Sequence, residues 1–196
     1  MQPSANQRKL MFIAYRLAKY ELSEVDTLVE WFRADASART KRLQKMKLPG
    51  GPEDKYVDDF EAISAVHQLN SGLSIVALWR CVELCRTRVV LSALGKEASR
   101  EAASHTKAIC KLNQLGTTER GVKRWKDVNE LRSLNNAFKH GGYIEGPLAK
   151  YDAWSSRAGE VISNVDVEYP RLRNAAEEYI EDLVLQASKW LVSTNS

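Results

Sequence analysis

The stretch Leu73–Leu94 restricts the fold more than any other. Leu73, Ile75, Val76, Leu78, Trp79, Val82, Leu84, Val89, Val90 and Leu91 fall on more than one side of a 3.6-residue helix. A helix that is apolar almost all round belongs at the centre of a bundle. Arg80, Glu83, Arg86 and Arg88 interrupt it, and each must reach solvent or find a partner. Arg80 and Glu83 are three apart and can pair. Gly72, just before the run, allows a bend or the close approach of another backbone.

Helical patterns surround this stretch. From Asn6 to Lys47 the apolar face reads Leu10, Ile13, Leu17, Tyr20 and Leu22, then Val25, Leu28, Val29 and Phe32, with a possible break near Ser23. Six basic residues between Arg33 and Lys47 form a basic face, either a solvated helix surface or a patch that meets RNA. Pro49-Gly50-Gly51-Pro52 is the strongest break, with Glu53 and Asp54 as capping acids for a helix from Lys55 to Leu94. Gly95 ends it, and a weaker helical face runs over 97–114. Residues 141–169 are punctuated by Gly, Pro and Ser and read as an irregular loop, with some strand-like alternation over Val161–Tyr169. Pro170 is placed for the first turn of a last helix reaching Val192. Residues 1–5 and 193–196 read as loose ends. The expected fold is all-α, an up-down bundle of about five helices in one domain over 1–196.

Composition is that of a globular chain, 44% hydrophobic and 28% charged, and the net charge of +4 is mild. The three cysteines, Cys81, Cys85 and Cys110, form no CxxC pair and have no zinc spacing with histidine. Reduced, packed thiols and a cytoplasmic protein are expected. There is no signal-peptide core, no apolar run of membrane-spanning length, no phosphate loop and no nucleophile elbow, so neither membrane nor cofactor is expected.

Chemistry is concentrated in Trp125–Gly142, WKDVNELRSLNNAFKHGG. Val128, Leu131, Leu134 and Phe138 lie on one helical face, and Gly141-Gly142 stops the helix. With Leu131 at zero and roughly 100° per residue, Asn135 lies near 40°, Lys139 near 80°, Arg132 near 100°, Asn136 near 140° and His140 near 180°. An imidazole beside cationic side chains suits phosphodiester chemistry on RNA. The imidazole moves a proton near neutral pH, and the cations stabilise charge on the phosphate oxygens. RNA brings its own 2′-OH nucleophile, so the chemistry needs no metal. A two-fold homodimer that brings two such helix ends together would supply a second histidine. His67 and His105 read as packing or surface residues.

At these residues the sequence resembles the HEPN superfamily, helical bundles with an Arg-x(4–6)-His signature near a helix end. NNAFKHG is its most family-like part. The resemblance implies a metal-independent endoribonuclease of a toxin–antitoxin or phage-defence system. Arg132 and His140 would be catalytic, and Asn135 or Asn136 the polar orienter. Seven residues separate Arg132 from His140, so Lys139 becomes the cation expected beside the histidine. The alternative is a non-catalytic helical interaction module, an antitoxin or adaptor that binds another protein. A DNA-binding regulator is less supported, because no helix-turn-helix pair is evident.

Overall fold

The computed structural model describes residues 5–46, 57–102 and 104–193. The Pro49–Pro52 break, the capping acids Glu53 and Asp54, Lys47, Lys55 and both loose ends as expected above (Ala5 and Ser193 excepted, each of which is helical) lie outside them. Among the described residues the protein is an all-α bundle of seven helices: α1 Ala5–Met46, α2 Val57–Leu94, α3 Lys96–Glu101, α4 His105–Gln114, α5 Trp125–Lys139, α6 Asp152–Ser155 and α7 Val165–Ser193. No β-strand is present among them; a single bridge joins Tyr143 to Val161.

As the run of apolar residues requires, α2 is the central element. Ile75, Leu78, Trp79, Val82, Cys85, Val89 and Val90 are all buried. α1 packs on α2 and α7, and α5 packs on the same two helices. α1 and α5 do not pack substantially on each other, so they occupy opposite sides of the α2–α7 layer. α3 and α4 close over the end of α2. Burial of Cys81 and Cys85 pushes their thiols up to about 11 and about 12, which makes them inert. Cys110 is exposed, contrary to the expectation that all three thiols are packed.

α1 is continuous through Ser23; Leu22, Val25 and Val29 are buried as the sequence pattern selects, and the rest of its buried face differs. Met11, Ala14, Ala18, Leu22, Val25, Val29 and Ala36 are buried. Leu10, Ile13, Leu17, Tyr20 and Leu28 are exposed. Two stripes of near-heptad spacing run side by side along this helix. The one rich in alanine faces the bundle, because small side chains let α1 approach α2 closely. Polar staples fix that orientation: Arg88 donates to both oxygens of Glu21 at 2.8 and 2.6 Å, and Lys19 bridges Glu177 and Glu181 at 3.1 and 2.9 Å.

The last helix starts five residues before Pro170, whereas the sequence reading placed Pro170 in its first turn. A proline there removes the amide that would bond the Asp166 carbonyl. The Arg33 guanidinium instead lies 3.4 Å from that carbonyl and 3.4 Å from the Asp166 carboxylate. The other departures are local. The 97–114 helix is split into α3 and α4, and the 141–169 loop carries a 3₁₀ turn at Leu148–Lys150, the single turn α6 and the start of α7.

Candidate functional site

The site is built by the end of α5 and the chain that follows it. Arg124, in a left-handed conformation with φ 56°, precedes the helix and is held by Glu178 at 3.2 and 3.3 Å. Val128, Leu131 and Leu134 bury the core face. The helix ends in a Schellman arrangement: the Gly142 amide donates to the Ala137 carbonyl at 2.9 Å, with Gly141 at φ 119° and Gly142 at φ 76°. His140 is the capping residue, with an exposed side chain.

Beyond the glycines the chain turns back along the helix. The antiparallel bridge Tyr143–Val161 and the bonds of Ile144 to Glu160 and Gly159 anchor it. Between helix and returning chain lies a cleft of about 290 Å³. Arg132, Asn136 and His140 line one wall, and Tyr143, Glu145 and Pro147 line the other. Eight positions along the helix is roughly 12 Å, two full turns, so the cleft is long enough to hold both Arg132 and His140.

Arg132 is held in place from behind. Its Nε donates to Asn129 Oδ1 at 3.2 Å, and Asn129 Nδ2 donates to the Tyr151 hydroxyl at 2.7 Å. Arg132 pairs with no carboxylate among the described residues, so its guanidinium keeps donors for an anion.

The other predicted site residues are placed elsewhere. Lys139 lines a neighbouring apolar groove of about 510 Å³ with Leu69, Leu73, Val76 and Phe138. Arg132, not Lys139, is therefore the cation that shares the cleft with His140. On the helical wheel Lys139 lies about 100° from His140, one residue on. Asn135 is buried beneath the cleft. Its Nδ2 donates to Asn136 Oδ1 at 3.4 Å, and its own Oδ1 has no hydrogen-bond partner. Asn136 is thus oriented by Asn135. Arg80 pairs with Glu83 at 3.4 Å, and neither lines the cleft.

Sequence reasoning missed Tyr143, Glu145, Asn129 and Tyr151. The first two are on a loop whose path no periodicity encodes. Asn129 lies three residues before Arg132, a helical spacing that could have been read as a side-chain pair.

A second polar constellation lies behind α5. Arg86 is 2% exposed and sits between the rings of Trp79 and Tyr179, at 5.2 and 5.1 Å. It donates to the Tyr179 hydroxyl at 3.0 Å, to His105 Nδ1 at 2.9 Å and to Glu119 at 2.5 Å. Burial, then the charges of Arg86 and Arg132, lower the His105 pKa to about 4. This network ties α2, α4, the 3₁₀ turn at Glu119–Gly121 and α7 together. His105 is a structural acceptor, as the sequence reading expected of a packing residue.

Among the described residues no group of three or more His, Cys, Asp and Glu side chains converges as metal ligands would. No described helix is long and apolar enough to cross a membrane. Comparison of the chain with protein-family models, with curated proteins and with solved structures finds no match.

Proposed function

We propose that the cleft between α5 and residues 143–147 binds RNA and cleaves it without a metal ion. The observation that carries this reading is the shared lining of Arg132, Asn136, His140 and Glu145. An arginine free of carboxylate partners takes the phosphate. The Glu145 carboxylate accepts the proton of the 2′-OH as its oxygen attacks phosphorus. His140, protonated, gives a proton to the departing 5′-oxygen as the P–O5′ bond breaks. The products are a 2′,3′-cyclic phosphate and a 5′-hydroxyl. Asn136 and the Tyr143 hydroxyl bind sugar or base edges along the cleft. With a carboxylate and an imidazole in one cleft, the chemistry no longer needs a second histidine from another copy. The likeness of NELRSLNNAFKHGG to the HEPN signature supports the same reading and suggests toxin–antitoxin or phage-defence work.

The experiment is incubation of the purified protein with RNA in EDTA, comparing wild type with His140→Ala, Arg132→Ala and Glu145→Gln. Cleavage that survives EDTA and is lost by about 100-fold or more in His140→Ala is expected. Cleavage that requires added metal, or that persists in His140→Ala, sinks the mechanism.

A second reading is favoured by one observation. The apolar groove of Leu69, Leu73, Val76 and Phe138 borders the same helix end and suits the apolar face of a partner helix. On that reading the protein is a non-catalytic interaction module, such as an antitoxin or adaptor. Absence of RNA binding by wild type would favour it.

A further inference from the structure

α1 carries a second stripe that nothing among the described residues covers. Leu10, Ile13, Leu17, Tyr20 and Trp31 are 42%, 39%, 41%, 63% and 71% exposed. Their spacings, with the exposed Glu24 and Thr27 as the two polar members, run three, four, three, four, three, four. That 3.5-residue repeat is the seam of a coiled coil, and it lies roughly 120° around the helix from the buried stripe. Leu28, also exposed, flanks it. At about 150–250 Å² for each large side chain, these exposed fractions leave on the order of 400–700 Å² of side-chain surface open per copy. Two copies together expose about 800–1,400 Å², which reaches the lower end of the size of a specific interface.

We propose that this stripe is the interface of a two-fold dimer in which two copies of α1 pair antiparallel. With Glu21 already neutralised by Arg88 of its own chain, the remaining charges argue for both the occupant and the direction. In a parallel, in-register pair Glu24 would face its own copy at a seam position, and Glu30 would flank Asp35. Both contacts are repulsive. In the antiparallel register that sets Leu17 against Thr27 of the second copy, Ile13 meets Trp31 and Leu10 meets Ala34. Tyr20 and Glu24, already hydrogen-bonded within each chain, then meet the same pair of the second copy. Arg16 and Glu30 flank the seam opposite each other, and two-fold symmetry makes that pair twice. Neither residue has an ion-pair partner among the described residues of its own chain; Arg16 only approaches the Phe12 ring, at 5.8 Å. The helix therefore carries a complementary pair of charges that a second copy completes. Because α1 and α5 lie on opposite sides of the α2–α7 layer, this dimer leaves the Arg132–His140 cleft open. The inference does not rest on the ribonuclease reading.

The test is sedimentation velocity of the whole chain across micromolar concentrations, with circular dichroism to confirm helix content. Wild type is expected to be a dimer. Leu17→Glu with Trp31→Glu should raise the dimer Kd by about 100-fold or more at unchanged helicity. Arg16→Glu and Glu30→Arg alone should each raise it by about tenfold, and the double exchange should restore it to within about threefold of wild type. A monomeric wild type overturns the proposal, and one that sediments with anionic phospholipid vesicles assigns the stripe to a membrane surface instead. A dimer indifferent to Leu17 and Trp31 overturns it as well. A double exchange no better than either single one rejects the antiparallel register.

Discussion

Arg86 Nη1 lies 2.9 Å from Nδ1 of His105, and an arginine can only donate, so the His105 ring must accept at Nδ1 and carry its proton on Nε2. That fixed tautomer is a pH sensor of stability. Protonating the ring would set two donors against each other and place a second charge beside a buried guanidinium. Its folded pKa of about 4 lies below the ordinary 6.5. The unfolded chain therefore takes up the proton first as pH falls. Stability contributed by this ring is complete above pH 6.5, declines as pH drops through the window, and is gone below about 4. For a half-buried ring, with solvent screening allowed for, the loss is about 2 kcal/mol. Urea unfolding at pH 7 and pH 4.5 should show it, and His105→Gln should flatten the profile between them. An unchanged profile in that variant would rule out His105 as the titrating group.

The same network predicts the cost of removing its anion. Arg86 is almost fully buried and Glu119 is its only carboxylate partner among the described residues, so Glu119→Gln leaves a charge in the core with neutral partners alone. The expected destabilisation is about 3 kcal/mol. The double variant Arg86→Met with Glu119→Gln should recover part of that loss, because it removes the buried charge itself. Denaturant midpoints for the three proteins decide the matter; a Glu119→Gln protein as stable as wild type would mean the guanidinium reaches solvent.

Much of the fold was legible because it depends on local pattern. The many-sided apolar stretch of α2 marked the central helix, and Gly141-Gly142 after Phe138 marked the end of α5. The face of α1 is legible at Leu22, Val25 and Val29 but not in its first turns, because two stripes of equal spacing compete on one helix. Side-chain size suggested Leu10 and Leu17 for the core, whereas close packing against α2 selected Ala14 and Ala18. The start of α7 was misread because Pro170 is normally a first-turn residue. Here a guanidinium 133 positions away takes the carbonyl that the proline frees, and no local rule encodes that partner. In the cleft, Arg132, Asn136 and His140 followed from helical spacing. Glu145 and Tyr143 did not, because their position depends on a loop held by the bridge to Val161.

Positioning of Arg132 is testable apart from its charge. The chain Tyr151–Asn129–Arg132 contains no group that contacts the cleft except Arg132 itself. Tyr151→Phe removes the acceptor of the Asn129 amide and frees Asn129 to turn from Arg132. Affinity for a short RNA should fall about three- to tenfold, while stability changes by roughly 1 kcal/mol, the worth of one hydrogen bond. Arg132→Lys should lose at least as much, since an ammonium lacks the guanidinium fork. If Tyr151→Phe binds RNA as wild type does, the orienting role is wrong.

The cleft also depends on how closely α5 approaches the central helix. A Cβ placed on Gly72 would lie 3.1 and 3.3 Å from the Phe138 ring, so α2 and α5 meet at a point where a side chain barely fits. Gly72→Ala gains about 1 kcal/mol of helix propensity and loses a similar amount as Phe138 gives way, so little net change is expected. Gly72→Leu has no such compensation. Its branch must push Phe138, and with it the last turn of α5, away from α2. A destabilisation of about 1–3 kcal/mol is expected. RNA affinity should weaken as well, since Phe138 lies two residues before His140. Thermal unfolding and RNA titration of the two variants separate these effects. A Gly72→Leu protein with unaltered stability and binding would mean that the last turn of α5 does not depend on this contact.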